Sequence, residues 1–450
     1  MASGCPPAGA NSDTNSNLRL VERSSILLIG RRACGVTRYS TRAAVGPLAN
    51  ARSFVPVDVK PSHRAASVRV SPTLAVAAQA AELQRAGRNI LNLAAGQSDF
   101  DAPEHARHAA HAAIDAGLSK YTDVDGTPEL KAAVLEKFER DNALHFKPDN
   151  VLVSCGCKHS LFNLMQALLN EDDEVIIPAP YWVSYPDMAR LAGADPVIIR
   201  TKFKQRFKIT PEQLRGALGP HSRLLILNSP ANPSGAVYSR SELEAIGHVL
   251  ADFPEVIVVS DDIFEHVMWA AEPFVNILNA APRLHERTVL VNGLSKAYGM
   301  AGWRIGYAAG PAPLIAAMKK IQSQSTSNPN SIAQAAATAV LRGDRGFLRE
   351  QSVEFKKRHD FLLRELALIK GVNVHPAEGS FFVFPDVSGV LARRDDLADD
   401  VALAEYLLEQ GELAVVPGAA FGTPDCLRLS TANSMDVLKD AMARMRKLLA

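Results

Sequence analysis

The run Asn292-Gly293-Leu294-Ser295-Lys296-Ala297-Tyr298-Gly299-Met300-Ala301-Gly302-Trp303-Arg304-Ile305-Gly306-Tyr307 places a lysine between an apolar stretch, residues 288–292, and a segment punctuated by glycines. A lysine at the end of a buried strand loses hydration, and nearby positive charge disfavours its ammonium further. Its pKa then falls and the amine becomes a nucleophile able to form a Schiff base. Most lysines are solvated surface charges, so Lys296 alone decides little. Its neighbours add to it. Ser295 offers a hydroxyl, and Arg304 offers a guanidinium whose paired donors match a phosphate.

Working outward, residues 151–155, 174–178, 197–200, 223–228, 256–260 and 288–292 are continuous, largely aliphatic runs without polar alternation. Strands buried on both faces have this pattern. The helical stretches between them, such as 158–169, one ending near Gly193 and one opened by Thr210-Pro211, supply the crossovers of a mostly parallel sheet. The spacing therefore predicts a large α/β domain, residues 109–346. From about Gly346 the pattern changes to a long amphipathic helix, 348–369, then short strands around 381–384, 414–416 and 426–430, and a closing helix from Ser434. This predicts a smaller α+β domain, residues 347–450. Residues 69–108 complete it, and within them 73–86 reads as a helix stopped by Gly87. A cleft between the two is the expected ligand site.

With 450 residues, 47% of them hydrophobic, the chain can bury one large core and a smaller one. Residues 1–68 hold nine basic and three acidic side chains, and without them the net charge is −5, which argues against a nucleic-acid partner. This serine- and arginine-rich, acid-poor leader reads as an organellar transit peptide. Its apolar patch, 26–29, is too short to span a membrane. Arg38-Tyr39-Ser40 would suit a mitochondrial matrix protease. Five cysteines imply no disulfide framework, and Cys155 and Cys157 lack a second pair, so no metal site is expected.

Other candidate residues lie where the predicted strands end. Residues 151–155 run through Gly156-Cys157-Lys158 into a helix whose first N–H groups favour phosphate, although such a turn is commonly just a turn. Asp261 follows the run 256–260, where α/β sheets present ligand contacts; Asp262 beside it reads as a loop or cap aspartate. Trp182, in Pro180-Tyr181-Trp182-Val183-Ser184-Tyr185-Pro186, suits either ring stacking or a core. Asn232, in Asn228-Ser229-Pro230-Ala231-Asn232-Pro233-Ser234-Gly235, stands either as a positioned side chain or in an Asn-Pro turn. Arg428 alternates with apolar neighbours in Cys426-Leu427-Arg428-Leu429-Ser430, so it needs a partner, either a structural carboxylate or a substrate's.

Ser-Lys followed by spaced glycines and Gly-Trp-Arg-x-Gly resembles the cofactor-lysine region of fold-type I pyridoxal 5'-phosphate (PLP) aminotransferases. With the other runs, over about residues 69–450, the order of motifs resembles the prokaryotic-type (class I, subgroup Ib) aspartate aminotransferases, which include the aspartate/glutamate-prephenate aminotransferases of bacteria and plastids. The resemblance implies the PLP transferase fold, a homodimer with shared active sites, and a plastid rather than a mitochondrial address. It implies that Lys296 forms the imine with the cofactor and then carries the proton transfer. Asp261 would pair with the ring nitrogen, Asn232 would contact the ring oxygen and substrate, and Trp182 would stack on the ring. Gly156, Cys157, Ser295 and Arg304 would hold the phosphate, and Tyr121 would reach the phosphate of a second subunit. Gly96 and Arg428 would bind the substrate α-carboxylate, with Lys158, Arg69 and Ser71 at a distal carboxylate.

Four positions depart from the family pattern. Phe264 stands where a tyrosine is expected three residues after Asp261, removing a hydroxyl from the cofactor oxygen, which should raise the imine pKa and slow turnover. Cys157 replaces a glycine, Ala231 an asparagine, and Gln97-Ser98 a Glu-Pro pair. The expected activity is transamination between aspartate or glutamate and an oxo acid such as oxaloacetate, 2-oxoglutarate or prephenate. A carbon–sulfur or carbon–carbon lyase on the same scaffold, or a weakly active PLP-binding protein, is the alternative.

Overall fold

The computed structural model describes residues 59–450, so the predicted leader lies outside the described residues as far as position 58. The chain divides into Met1–Lys60 and Pro61–Ala450, and the fold belongs to the second. Its strands in chain order are β1 Leu91–Asn92, β2 Val151–Ser154, β3 Glu174–Ala179, β4 Asp195–Arg200, β5 Ser222–Asn228, β6 Ile257–Asp261, β7 Thr288–Gly293 and β8 Gly306–Ala309. They are followed by β9 Phe382–Val383, β10 Leu413–Ala414, β11 Val416–Pro417 and β12 Leu427–Ser430.

Seven strands form one sheet in the order β2-β8-β7-β6-β5-β3-β4. The pairs from β4 across to β7 are parallel, as the aliphatic runs predict, whereas β8 is antiparallel to both β2 and β7. Successive residues of a strand point to opposite faces, and here both faces are apolar. Val151 and Val153 enter one core with Leu130, Phe138 and Leu243; Leu152 enters the other with Leu161, Leu164 and Met318. Likewise Ile176 faces the first core while Val175 and Ile177 face the second. The lack of polar alternation in the sequence has this cause. Each such fully buried aliphatic side chain contributes about 1.5–3 kcal/mol.

The connecting helices are punctuated as their sequences suggest. Thr210 accepts from the Gln213 amide while the Gln213 side chain accepts from the Thr210 amide, closing a capping box ahead of Pro211–Ala217. Gly87, at φ +90°, ends Pro72–Arg85.

A second set of elements follows. Strands β11-β12-β9 form an antiparallel sheet, and β1 pairs in parallel with β10. Their core gathers Leu93, Leu413, Leu427 and Leu429 with Leu403, Leu438 and Met442 from the helices Asp400–Gly411 and Met435–Leu449. The helix Gly346–Ala367 serves both parts, with Leu348 and Phe355 in the first core and Leu362 and Leu366 in this one.

Sheet register assembles the site. Asn228, Asp261 and Val291 are neighbours across β5, β6 and β7 at their carboxyl ends. Because β8 is antiparallel, its first residue, Gly306, lies beside Ser154 and Gly293, the last residues of β2 and β7. Arg304 is thereby delivered to the edge where the parallel strands finish.

Candidate active site

At that edge lies a cleft with about 190 Å3 of solvent-accessible space, concave and partly open. Cys157, Lys158, Trp182, Asn232, Asp261, Ser295, Lys296 and Arg304 line it together with Tyr185, Asn228 and Phe264. Gly96, Gly156 and Arg428 touch it through bonded neighbours. Tyr121, 92% exposed, Arg69 and Ser71 are not among its lining residues. The Ser71 hydroxyl is 3.0 Å from that of Thr73, at the start of the helix Pro72–Arg85.

Lys296 lies three residues beyond the end of β7, and its Nζ donates to the Gly96 carbonyl at 2.5 Å. The rings of Phe264 and Phe381 stand 5.7 and 5.8 Å from the ammonium. Burial, and after it the charge of Arg428, lowers its pKa to about 8.

Asp261 is the last residue of β6 rather than a residue beyond it, and is buried. Its Oδ2 accepts from the Tyr185 hydroxyl at 2.6 Å, while Oδ1 is buried without a hydrogen-bond partner. Burial raises its pKa to about 6, opposed chiefly by the Tyr185 hydrogen bond. Asp262 lies in the loop directly after β6. It is buried, accepts from the Ser260 hydroxyl at 2.6 Å, and burial raises its pKa well above the usual range, helped by the nearby Glu265 charge.

Asn232 is tied on both sides. Its amide donates to Asn228 Oδ1 at 2.8 Å, and its Oδ1 accepts from Arg428 Nη1 at 3.1 Å. Asn228 Nδ2 in turn donates to the Asp261 carbonyl at 2.8 Å. Arg428 also donates to the Ala94 carbonyl at 2.7 Å, and lies against the rings of Phe382 and Phe421, 4.3 and 5.0 Å from their centroids. Among the described residues no carboxylate lies within ion-pair distance of it, so the salt-bridge reading of Arg428 does not hold; burial alone brings its pKa down to about 9. A buried guanidinium of this kind is stabilised by a carboxylate from outside the chain.

The turn after β2 forms an anion cradle. Gly156 caps the helix Cys157–Leu168 at φ +89° with no side-chain cap, and a Cβ there would run into the Arg304 guanidinium. Arg304 is held by the carbonyls of Ala301 at 2.9 Å and Cys155 at 3.1 Å. Lys158 sits 4.9 Å from the centre of the Trp182 ring, and burial, then Arg304, lowers its pKa. The lining thus carries the cations Lys158, Lys296 and Arg304 against the single carboxylate Asp261, an arrangement suited to a polyanion.

These groups fit PLP: a cradle of N–H groups, hydroxyl and guanidinium for a phosphate, an unpartnered buried carboxylate oxygen for a ring nitrogen, an indole beside the space, and an amine of lowered pKa. Elsewhere Asp141, Glu265 and His266 bring ligand atoms close together. Their carboxylates already pair with Lys137, Arg140 and Arg345, which opposes a cation.

Two polar lining residues, Tyr185 and Asn228, were not singled out from the sequence. Tyr185 stands beside Trp182 in the run quoted for stacking, and Asn228 closes the run 223–228. Neither type carries a signal distinct from packing or a turn.

Residues 88–445 match the family described as aminotransferase class I and II. An aspartate/prephenate aminotransferase of Nitrosomonas europaea is 49% identical over 397 residues, 87% of this chain and 100% of the relative. An aspartate aminotransferase of Rhizobium meliloti is 44% identical over 390 residues, 86% of this chain and 95% of its own. Among solved structures, the Thermus thermophilus aspartate aminotransferase with maleate superposes with a TM-score of 0.82 at 40% identity, covering 87% of this chain and 100% of that one. The cleft and these likenesses agree, and the chain belongs to the class I and II aminotransferases, enzymes that work with PLP.

Proposed function

We propose that the protein moves the amino group between aspartate or glutamate and a 2-oxo acid, namely oxaloacetate, 2-oxoglutarate or prephenate, by a ping-pong route. The observation that carries this reading is the buried Arg428 guanidinium, without a carboxylate partner among the described residues and coupled electrostatically to Lys296. An amino acid bound by its α-carboxylate at Arg428 and Gly96 presents its α-carbon toward the lysine. When bound, PLP supplies an aldehyde for the lysine and an electron-withdrawing ring that stabilises negative charge at the substrate α-carbon.

The chain supplies the rest. Lys296, once free, takes the α-proton and returns it, a task suited to an amine whose pKa is near the working pH. Asp261 holds the proton on the ring nitrogen, Asn232 orients the ring oxygen and Trp182 covers the ring. Gly156, Cys157, Ser295 and Arg304 anchor the phosphate. Lys158, with Arg69 and Ser71 from the N-terminal arm, receives a second carboxylate. The Thermus thermophilus structure named above was solved with maleate, a dicarboxylate, which supports that reading. The exposed Tyr121 belongs to a homodimer in which it serves the neighbouring phosphate site. The leader directs the protein to an organelle, the plastid before the mitochondrion.

A donor and acceptor panel on PLP-loaded protein starting near Ser62 tests the reading. Aspartate or glutamate should donate to 2-oxoglutarate, oxaloacetate or prephenate without release of ammonia, and Phe264→Tyr should raise kcat by returning the missing hydroxyl. Ammonia and pyruvate formed from an amino acid would favour the lyase. Failure of every pair with both forms would reject transamination.

A further inference from the structure

Tyr185 has no role in the reading above, yet it makes the one side-chain hydrogen bond to the Asp261 carboxylate among the described residues. It lies in the helix Ser184–Leu191, 2% exposed, with its ring edge-on to Trp182 at 5.4 Å. Its hydroxyl donates to Asp261 Oδ2 at 2.6 Å, the short distance of a bond to an ionised oxygen, and leaves Oδ1 without a partner.

A carboxylate offers two equivalent oxygens on a torsion with broad minima. Pinning one oxygen aims the other. We propose that Tyr185 is a positioning residue, whose hydroxyl fixes the Asp261 carboxylate and keeps it ionised, so that Oδ1 can hold the proton on the cofactor's ring nitrogen. The inference rests on the assignment of Asp261 to that nitrogen.

The surroundings make the hydroxyl matter. Around Asp261 stand Cys157 at the start of its helix, Asp262 next in the chain and Lys296 beyond β7. Burial pushes up both the Cys157 thiol and the Asp262 carboxyl, and neither group can carry the positive charge that would favour an ionised Asp261. Lys296 and the Ile263 amide favour the ionised acid less than Tyr185 does. Burial and the Asp261 charge raise the Tyr185 pKa well above that of an ordinary phenol, so the group stays a donor at any working pH. Without it the buried acid would retain the shared proton itself, and the ring would withdraw electrons less strongly.

The test is nitrogen NMR of the holoenzyme loaded with PLP labelled at the ring nitrogen, in wild type and Tyr185→Phe, followed through pH alongside steady-state kinetics. The wild-type nitrogen should be protonated. In Tyr185→Phe its resonance should move toward the unprotonated position, with kcat lower by about 10- to 100-fold and KM for the amino acid nearly unchanged, the size expected for a hydrogen bond to a charged group. Tyr185→His, which restores a donor, should recover part of both effects, and it is read in the same way should the phenylalanine variant fail to fold. An unprotonated nitrogen in wild type rejects the role of Asp261. A protonated wild type with variants identical to it in resonance, pH profile and kcat overturns the role of Tyr185 and leaves Asp261 standing.

Discussion

Lys296 and Arg428 carry like charges beside one cleft, and each has its pKa lowered by burial. Their coupling predicts a pH dependence. Capture of PLP by the cofactor-free protein needs the neutral amine, so its rate should rise with pH through about 8, the value to which burial and Arg428 lower Lys296. In Arg428→Met a cause of that lowering is removed, the ammonium keeps its proton to higher pH, and the midpoint should move upward. Burial, the larger cause, remains, so the midpoint should stay below that of an ordinary lysine. Absorbance at the cofactor band in stopped flow measures the rate; an unmoved or lowered midpoint contradicts the coupling. Both residues were legible in the sequence, Lys296 from Ser295-Lys296 and the glycines after it, Arg428 from a charge alternating with apolar residues. Tyr185 was not, because a phenol beside a tryptophan reads equally well as core, and its bond to Asp261 spans 76 positions.

At the scale of elements, the site depends on one antiparallel strand among parallel ones. β8 brings Arg304 beneath the Gly156 turn, and the backbones there are in contact: a Cβ on Gly306 would strike the backbone of Gly156 and Cys157. Gly156→Ala should weaken PLP binding roughly tenfold or more, since φ +89° with ψ 161° is a region essentially confined to glycine, costing about 1–3 kcal/mol for another residue, and the added methyl displaces the guanidinium. Titration of the cofactor-free protein with PLP gives the affinity, and an unchanged value would show that the turn does not hold the phosphate. The parallel strands could be read from aliphatic runs because both of their faces are covered. β8 could not, since Gly306-Tyr307-Ala308-Ala309 lacks β-branched residues and its burial comes from neighbours distant in sequence. The two-residue β1 is likewise set by pairing rather than by local pattern, whereas the run 414–416, read as one strand, is divided between β10 and β11.

Across the molecule, a chain that is net acidic beyond residue 68 concentrates Lys158, Lys296 and Arg304 in one cleft and sets Arg428 beside it. That contrast draws in anionic substrates without making the whole surface basic. The α/β class and the smaller second core were legible from the change of pattern near Gly346. The placement of Arg69, Ser71 and Tyr121 was not, because their expected partners are a substrate and a second subunit. In the proposed reaction Lys296 and its cleft pass an amino group from an amino acid to the bound cofactor. The most direct measurement mixes PLP-loaded protein with excess L-aspartate in the absence of any oxo acid and counts products. One oxaloacetate per active site is expected, with the amino group retained on the protein-bound cofactor, no free ammonia, and no reaction on this timescale in Lys296→Ala. Continuous release of ammonia, or equal oxaloacetate from Lys296→Ala, would contradict the proposed reaction.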